Sequence, residues 1–318
     1  MKDKFPNLDP GLPALVLGAA GIDVVGRLEA DLQPGASNPA RIRRSYGGVA
    51  RNVAENLARL GQSVRLITVL GNDRAGNDIL EHTAAAGVDV SAVLRTDDYP
   101  TGFYMGIIDK GGKLQLAVDD MRLLEEITPH SLHEQEALFK SSSLVFVDAN
   151  LPVKTLRAAV NLAKRARIPV CADTASFTLA ERLVQFLPKY YLVTANSKEA
   201  GVLTGLSFEA SDRDTAMEAA RVLVNRGVRI ALVTLAEYGV VYATSETTGH
   251  IPAIRTRISD PTGAGDAMTA AILFALLNDI DLDDAIRLGV SAASLTLRHP
   301  GSVYPNLSLE GLYDQLLV

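Results

Sequence analysis

A glycine-rich turn that ends in a carboxylate is the segment of this sequence best suited to chemistry. It reads Asp260-Pro261-Thr262-Gly263-Ala264-Gly265-Asp266 and precedes a run with helical periodicity over about residues 267–278. The first turn of a helix has N–H groups without intrahelical partners and carries the positive end of the helix dipole. Such a turn can bind a phosphate, or the negative charge that develops as a phosphoryl group moves. Two roles are open to Asp266, a general base or a cap of the helix.

The segments around this turn alternate between strand and helix periodicity. A strand over 14–18, a helix over 49–60, a strand over 64–69 and a helix over 75–86 precede two short strands at 101–108 and 113–118 that form a hairpin. The later strands are predicted at 144–147, 169–172, 191–194 and 229–234, and the later helices at 153–165, 178–186, 197–203, 212–224, 281–297 and 309–316. This alternation predicts an α/β protein with helices on both faces of a mostly parallel sheet.

Small or polar residues follow nearly every predicted strand. They are Gly21 and Asp23, Asp148 and Asn150, Asp173 and Ser176, Asn196 and Glu199, and Glu237 and Gly239. A single aspartate after a strand is usually a helix cap. A set along one edge indicates more, because ligands of open α/β sheets bind outside the carboxyl ends of the strands. That edge is the predicted site.

Composition narrows the class of partner. The 318 residues carry a net charge of −6, which argues against nucleic acid but leaves small anionic ligands open. Cys171 is the only cysteine, so no disulfide framework can form and a cytoplasmic location is expected. The sequence shows no signal peptide and no apolar run long enough for a bilayer. P-loop, protein-kinase, zinc-protease and G-x-S-x-G patterns are also missing. We therefore expect a small-molecule ligand, without a nucleic-acid or membrane partner.

Three separated motifs resemble those of the PfkB (ribokinase-like) carbohydrate and nucleoside kinases. Gly47-Gly48-Val49-Ala50-Arg51-Asn52 is similar to the amino-terminal signature, the 260–266 segment to the carboxyl-terminal signature, and Asn196-Ser197-Lys198-Glu199 to the N-x-x-E motif between them. The resemblance covers essentially the whole chain. It implies a single three-layer α/β/α domain over 1–318, with a mostly parallel central sheet and a small β lid inserted from about 26–46 and 100–120.

The resemblance implies transfer of the γ-phosphate of ATP to a hydroxyl, with Mg²⁺. Asp266 would accept the proton of the attacking hydroxyl, and the N–H groups of Gly263, Ala264 and Gly265 would form the anion hole. This agrees with the physical argument above, because phosphoryl transfer needs positioning and charge neutralisation. Asn196 and Glu199 would act through Mg²⁺ and its waters, although a carboxylate such as Glu199 is also favoured in any first helical turn.

On the acceptor side, the resemblance implies that Asp23 holds sugar hydroxyls. Gly47, Gly48 and Asn52 would pack against the sugar, because glycines let a ring approach the backbone closely. Arg51 has two interpretations, a structural ion pair or a charge that neutralises the transfer site. A lid above these residues would exclude water and favour transfer over hydrolysis of ATP.

On the nucleotide side, the resemblance implies contacts from Asn196, Gly263 and Gly265, from Thr234 and Gly239, and from Ser291 or Ser294. Ala236 stands where the family commonly has glycine. The loop 298–302 occupies the place where some members build a monovalent-cation site with the loop before Asp260. It lacks their common glycine-alanine form, so dependence on K⁺ stays open.

Finer similarities at 37–39, 47–58, 119–121, 263–268 and 306–308 favour the pseudouridine kinases of this family over its ribokinases. The 5′-hydroxyl of pseudouridine would then be phosphorylated, and Ser37, Asn38 and Asp120 would contact the base. Ser37-Asn38-Pro39 fits a plain turn equally well. The alternatives are a kinase for ribose, another nucleoside or a hexose, a catalytically silent regulator that binds sugar or nucleotide, and an NAD-binding dehydrogenase suggested only by residues 18–26. Exposed strand edges in the lid favour a homodimer.

Overall fold

The computed structural model describes residues 9–317, so the predicted domain bounds at residues 1 and 318 lie outside it. The strands of this part of the chain are β1 (Ala14–Leu17), β2 (Gly21–Leu28), β3 (Ala40–Gly47), β4 (Val64–Ile67), β5 (Val69–Gly71), β6 (Leu94–Thr96), β7 (Gly102–Ile108), β8 (Leu114–Asp120), β9 (Leu144–Asp148), β10 (Val170–Asp173), β11 (Leu192–Asn196), β12 (Ile230–Thr234), β13 (Val240–Ala243) and β14 (Thr248–Ile251). The helices are α1 (Val49–Arg59), α2 (Arg74–Ala85), α3 (Pro129–Glu134), α4 (Glu136–Lys140), α5 (Val153–Ala166), α6 (Ser197–Thr204), α7 (Arg213–Asn225), α8 (Ala264–Leu277), α9 (Leu282–Arg298) and α10 (Leu309–Leu316), and 3₁₀ segments lie at Arg122–Glu126, Ala180–Lys189 and Ala236–Tyr238.

The central sheet has eight strands in the order β14-β13-β12-β11-β10-β9-β1-β4. The six strands from β12 to β4 run parallel, as the alternation of strands and helices predicts. The strands β13 and β14 add an antiparallel edge that the sequence pattern did not predict. In β14 the sequence Thr-Gly-His-Ile has no clear apolar alternation, which explains the omission.

Two hydrophobic cores lie on the two faces of this sheet. Leu15 and Leu17 of β1 belong to the core beneath α5, α6 and α7, whereas Ala14 and Val16 belong to the core beneath α1, α8 and α9. Successive side chains of a strand point to opposite faces, so the continuous apolar strands are buried on both sides. The result is a three-layer α/β/α arrangement. Cys171 lies in β10 with its side chain fully buried, and burial raises the pKa of its thiol far above the usual range.

A second sheet of four strands, in the order β3-β2-β7-β8, stands apart from the central one. It contains the two stretches that resemblance assigned to the lid. In the first of these stretches, β2 begins at Gly21 and β3 covers 40–47, two strands that the sequence periodicity did not predict. Charged residues at Arg41, Arg43 and Arg44 of β3 are exposed and mask the strand pattern. Only the connecting loop at 29–39 is irregular.

The segment predicted as a helix over 178–186 is instead a 3₁₀ segment over Ala180–Lys189. Its buried residues are Ala180, Leu183, Phe186 and Leu187, and the first three repeat every three positions, as in a 3₁₀ helix. Pro188 also removes a backbone donor. Among residues 9–317, no helix combines the length and apolar character needed to cross a bilayer.

Candidate active site

The turn before α8 presents bare backbone at the amino-terminal end of a helix. Gly263 is the N-cap residue with φ 77°, and no side chain caps this end. A Cβ on Gly263 would lie 1.9 Å from the carbonyl oxygen of Ser302, so only glycine fits this close approach. At Gly265, in contrast, a Cβ would meet nothing within 4 Å. The first turn of α8 therefore faces open space with its N–H groups uncapped, as an anion hole requires.

Asp266 lies in this first turn of α8 and faces the amino-terminal motif. Its Oδ2 accepts a hydrogen bond of 2.6 Å from Nδ2 of Asn52, a residue of α1 that is almost fully buried. Burial raises the pKa of Asp266 to about 6, the charge of Asp148 contributes in the same direction, and the Asn52 hydrogen bond and the Arg51 charge act against them. No backbone group of residues 9–317 donates to this carboxylate, so it does not cap the helix. A carboxylate with such a pKa can accept a proton near neutral pH.

Asp23 presents a second carboxylate on the opposite side of the cleft, in β2. Its exposed fraction is 7%, and no group in the described part of the chain donates a hydrogen bond to it. A Cβ on Gly47 would lie only 2.1 Å from this carboxylate, which explains the glycine. Burial raises the pKa of Asp23 to about 7, and the charges of Asp266 and Asp260 add to the increase. A buried carboxylate without a partner is suited to receive the hydroxyl groups of a ligand.

The amino-terminal end of α1 is held by Asp148, to which the sequence analysis assigned no individual role. Gly48 is its N-cap with φ 91° and provides no capping side chain. Oδ2 of the fully buried Asp148 accepts instead from the backbone N–H of Ala50 at 3.0 Å and of Ala19 at 2.9 Å. Asp148 ends β9, and its position after a strand was the available signal. It fixes the glycine pair of the amino-terminal motif against the end of β1.

Asn196 and Glu199 form a reciprocal capping box at the start of α6. Oδ1 of Asn196 accepts from the Glu199 N–H at 3.0 Å, while the Asn196 N–H donates to Oε2 of Glu199 at 2.8 Å. Oε2 also accepts from the hydroxyl of Thr174 at 2.6 Å. Glu199 therefore has a structural role, because it completes the cap at the start of α6. Burial raises the pKa of Asp173, with the charges of Asp266 and Glu199 adding to it, so these carboxylates share one electrostatic environment at the strand ends.

The same residues decide whether Mg²⁺ fits. Residues 9–317 contain no cluster of three or more His, Cys, Asp or Glu side chains that could enclose a metal ion. Mg²⁺ does not need such a cage, because it keeps several waters and is usually bound through one or two carboxylates and substrate phosphates. Oε1 of Glu199 accepts from Nδ2 of Asn196 at 2.7 Å, so the side-chain oxygen atoms of both residues already accept hydrogen bonds and would reach such an ion through its waters. The donor set fits an ion that enters with the nucleotide.

Thr234 and Gly239 flank the turn after β12. Thr234 ends β12 directly opposite Asn196 in the register, and is partly exposed. Gly239 has φ 99°, and a Cβ there would lie 2.1 Å from the carbonyl oxygen of Ile251. Ala236, where the family commonly has glycine, adopts φ 49°. The turn thus keeps its left-handed shape without the glycine.

Ser291 does not reach the cleft, which corrects its assignment as a nucleotide contact. It is fully buried in α9, and its hydroxyl donates to the carbonyl oxygen of Leu312 at 2.8 Å. Ser294, the alternative, is 1% exposed. The hydroxyl of Ser291 thus faces α10, and the hydroxyl of Ser294 is buried without a hydrogen-bond partner among the described residues.

Asn38 and Asp120, two of the residues predicted to contact the base, have hydrogen-bond partners within the protein. Oδ1 of Asn38 accepts from the Gln33 N–H at 2.8 Å, and its Nδ2 donates to the carbonyl oxygen atoms of Gln33 and Ala36. Its polar atoms therefore stabilise the exposed loop that also contains Ser37, which agrees with the plain-turn interpretation. Nη2 of Arg122 donates to the carboxylate of Asp120 at 2.7 Å.

Asp119, rather than Asp120, shares a face of the four-stranded sheet with Asp23. In the register, Asp23 lies opposite Tyr104, and Tyr104 lies opposite Asp119. Burial raises the pKa of Tyr104, and the charges of Asp23 and Asp119 raise it further. Side chains alternate along a strand, so a shift of one residue moves a carboxylate to the other face. Ser45 lies opposite Asp23 in β3 and completes this polar face.

A cavity of about 770 Å³ lies between the four-stranded sheet and the loop before α8. Its charged lining consists of one carboxylate, Asp260, and five arginines, Arg27, Arg41, Arg43, Arg257 and Arg298. Nη1 of Arg43 lies 2.8 Å from Oδ2 of Asp260. This carboxylate, next to the loop where some PfkB kinases build a monovalent-cation site, therefore already has a cationic partner. The excess positive charge attracts anionic ligands to the cleft.

Comparison with known proteins agrees with this geometry. The profile described as pfkB family carbohydrate kinase matches residues 14–308. The chain belongs to the pfkB family. The family member guanosine-inosine kinase of Exiguobacterium acetylicum is 30% identical over 285 residues, which cover 88% of this chain and 92% of that protein. The pseudouridine kinase of Escherichia coli (strain K12) is 28% identical, with 93% of each chain covered. The structure of Arabidopsis thaliana ribokinase complexed with ribose and ATP has a TM-score of 0.83 at 22% identity, covering 96% of this chain and 99% of that one.

Family membership fixes the class of reaction. As a pfkB kinase, the chain is an ATP-dependent phosphotransferase that acts on a sugar or a nucleoside. Kinases of this family use ATP with Mg²⁺. The predicted ribokinase-like α/β/α fold with a mostly parallel sheet is confirmed.

Proposed function

We propose that this pfkB kinase phosphorylates the 5′-hydroxyl of pseudouridine, with Asp266 as the general base. The observation that carries the chemistry is the position of Asp266 at the uncapped end of α8. There it is hydrogen-bonded to Asn52 of the amino-terminal motif. The identity of the acceptor is supported by the similarity to pseudouridine kinase at 28% identity and by the motifs described above.

In the proposed reaction, the acceptor hydroxyl approaches between Asp23 and Asp266. Asp266 takes the proton as the hydroxyl oxygen forms its bond to the γ-phosphorus of ATP, and the bond from that phosphorus to the bridging oxygen breaks to release ADP. The N–H groups of Gly263, Ala264 and Gly265 neutralise the charge on the moving group. Bound Mg²⁺, held through Asn196 and Glu199, would supply further neutralisation of phosphate charge.

The polar face of the four-stranded sheet would hold the acceptor. Asp23 would bind sugar hydroxyls, with Gly47 and Gly48 allowing the ring to approach the backbone. Asp119 replaces Ser37, Asn38 and Asp120 as the candidate contact of the base, because a uracil ring offers N–H donors that a carboxylate can accept. We infer that this sheet is the lid of one domain spanning 1–318, with Thr234 and Gly239 beside the nucleotide.

Coupled ATP consumption tests the proposal against its alternatives. Pseudouridine, uridine, guanosine, inosine, ribose and fructose are supplied one at a time with Mg²⁺, and the product of the best acceptor is identified by mass spectrometry and phosphorus NMR. We expect pseudouridine to give the highest kcat/KM. A higher value for another compound would assign the enzyme to that acceptor. Absence of turnover with every acceptor, in a protein that still binds ATP, would contradict the proposal.

We further propose that two copies of the chain pair through the outer face of the lid sheet. Ile42, Met105, Leu116 and Val118 share that face in the register and are 75%, 37%, 58% and 54% exposed. A contiguous exposed apolar patch of this kind is typical of an interaction surface. Light scattering after gel filtration should give a dimer for the natural chain and a monomer for Ile42→Lys with Val118→Lys. A control variant, Leu32→Lys in the exposed loop 29–39, should remain dimeric, and a monomeric natural chain would refute the proposal.

A cytoplasmic location completes the proposal, because the reaction consumes ATP and the single cysteine is a buried free thiol. Cell fractionation with an antibody to the chain tests it, and recovery from a secreted fraction would contradict it.

A further inference from the structure

A buried ion pair lies on α1 directly behind the candidate base. Arg51 and Glu55 are one helical turn apart, each is 1% exposed, and Nη1 of Arg51 contacts Oε2 of Glu55. Pairs of opposite charge at this spacing usually lie on the solvent side of a helix, where they contribute little. Here both charges are removed from water, so each depends on the other.

Arg51 uses the rest of its guanidinium to connect three parts of the site. Nε donates to the carbonyl oxygen of Gly47 at 3.1 Å, and Nη2 donates to that of Tyr46 at 2.8 Å, which ties α1 to the end of β3. Nη2 also lies 3.2 Å from Oγ of Ser302, in the loop that packs on Gly263. The same Nη2 contacts Oδ1 of Asn52.

The contact between Arg51 and Asn52 determines which way the Asn52 amide points. A guanidinium only donates, so it must face the amide oxygen and not the NH₂ group. With Oδ1 directed at Arg51, Nδ2 is directed at Asp266 and donates to Oδ2 at 2.6 Å. A rotated amide would place a donor against Arg51 and an acceptor against a carboxylate. The orientation of Asn52 therefore depends on where Arg51 is held.

We propose that Glu55 is a positioning residue for the phosphoryl transfer, which acts by holding Arg51 so that Asn52 presents its NH₂ group to Asp266. This inference rests on the proposed function, in which Asp266 is the base. Glu55 is 1% exposed, borders a second cavity of about 430 Å³, and has no hydrogen bond to Asp23 or Asp266 among the described residues. Its Oε1 accepts from Nη2 of Arg59 at 2.6 Å, and its Oε2 lies 3.3 Å from Nε2 of His82.

Glu55 remains charged throughout the working range of pH. Burial alone would raise its pKa, but the hydrogen bond from His82, the charge of Arg51 and the hydrogen bond from Arg59 together lower the pKa of Glu55 to about 2. Its negative charge compensates the positive charge of Arg51, which otherwise acts fully on Asp266. The charged groups that act on Asp266 are Arg51 and Asp148, and Asp266 in turn acts on Asp23 and Asp173.

The test compares Glu55→Gln with a matched control, Arg59→Gln. The control removes the partner of Oε1 and leaves the contact between Arg51 and Oε2. We expect Glu55→Gln to lower kcat by about tenfold or more, with the KM for ATP nearly unchanged, and Arg59→Gln to keep kcat within about twofold. Loss of the Glu55 charge should also move the acidic limb of kcat/KM to lower pH, because the uncompensated Arg51 stabilises ionised Asp266. A merely structural role would not move that limb.

A paired variant keeps the test decisive if Glu55→Gln does not fold. Arg51→Met with Glu55→Met removes both buried charges together, which a protein tolerates better than a single unpaired one. We expect it to fold and to show the same loss of kcat as Arg51→Met alone, because Glu55 acts only through Arg51. Natural turnover in the double variant, or an unchanged kcat and pH profile in a folded Glu55→Gln, would overturn the inference. Natural turnover in Asp266→Asn would instead overturn the proposed function.

Discussion

The guanidinium of Arg43, in β3 of the four-stranded sheet, lies 2.8 Å from the carboxylate of Asp260, the first residue of the segment 260–266. The backbone N–H of Gly301 approaches the same oxygen at 3.3 Å. A carboxylate with these two partners does not need a further cation. The pair also joins the four-stranded sheet to the segment that contains Asp266.

This pair leads to a prediction about monovalent cations. We expect the natural enzyme to have the same kcat within about twofold in chloride salts of K⁺, Na⁺ or tetramethylammonium at equal ionic strength. Arg43→Met leaves Asp260 without its cation, so K⁺ should then raise kcat above the value in tetramethylammonium. Strong activation of the natural chain by K⁺ would contradict this interpretation of the pair.

Replacement of the base should separate chemistry from binding. Asp266→Asn keeps the size of the side chain but cannot accept the proton, so we expect kcat to fall by about 10²- to 10⁴-fold. Calorimetry should show nearly natural affinity for ATP, because the anion hole consists of backbone groups. Natural turnover in this folded variant would exclude Asp266 as the base.

The pH profile of kcat/KM should have an acidic limb formed by two interacting carboxyls. Asp266 and Asp23 have pKa values raised to about 6 and about 7, mainly by burial. Both act as carboxylates, so activity should be complete above these values and fall as the pH drops through them, with apparent values that belong to the pair. Asp23→Asn removes one of the two titrating carboxyls and a negative neighbour of Asp266. The acidic limb that remains, due to Asp266, should therefore move to lower pH. An upward shift would refute the proposed proximity of the two carboxyls.

The adjacent residues Asp119 and Asp120 provide a matched pair for acceptor recognition. Asp119 shares the face of Asp23, whereas Asp120 lies on the opposite face beside Arg122. We expect Asp119→Asn to raise the KM for the acceptor by about tenfold, the value of one hydrogen bond to a charged group, and Asp120→Asn to change it little. Initial rates at saturating ATP measure both. The reverse order would show that the acceptor contacts the face of Asp120 and not that of Asp119.

The left-handed turn at Ala236 should be improved by glycine. Its φ of 49° disfavours a residue with a Cβ, and Ala175, with φ 57°, is in the same situation outside this turn. Each substitution by glycine should stabilise the fold by about 0.5–1 kcal/mol, the strain that remains after the entropy cost of glycine. Thermal melting of Ala236→Gly and Ala175→Gly measures this, and a lower melting temperature for both would show that the backbone is not strained.

Local patterns were sufficient for the parts of the site that depend on the chain near them. Gly263 and Gly265 indicated from sequence a bare backbone at the start of a helix, whereas the packing of Gly263 on Ser302 was visible only in the structure. Strand ends such as Asp148 and Asp173 were likewise visible as polar residues after apolar runs. Their meeting at one edge follows from the parallel sheet.

Relationships between distant segments were not readable in the same way. The choice between Asp119 and Asp120 depends on the pairing of β7 with β8, which includes an irregularity between Ile107 and Ile108. Ser291 sits on a helix face that only the docking of α10 could identify. Arg51 and Glu55 have the spacing of a surface pair, and their burial results from the packing of the lid and the carboxyl-terminal loop around them.

The burial of Cys171 makes lid movement accessible to spectroscopy. A thiol with no exposed surface does not react with maleimide dyes in the folded protein, so the natural cysteine need not be removed. One cysteine placed in the loop 29–39 and another at the exposed start of α7 would be the labelling positions for a donor and acceptor fluorophore. Energy transfer between them would then report, molecule by molecule, how often the cleft opens with and without its ligands.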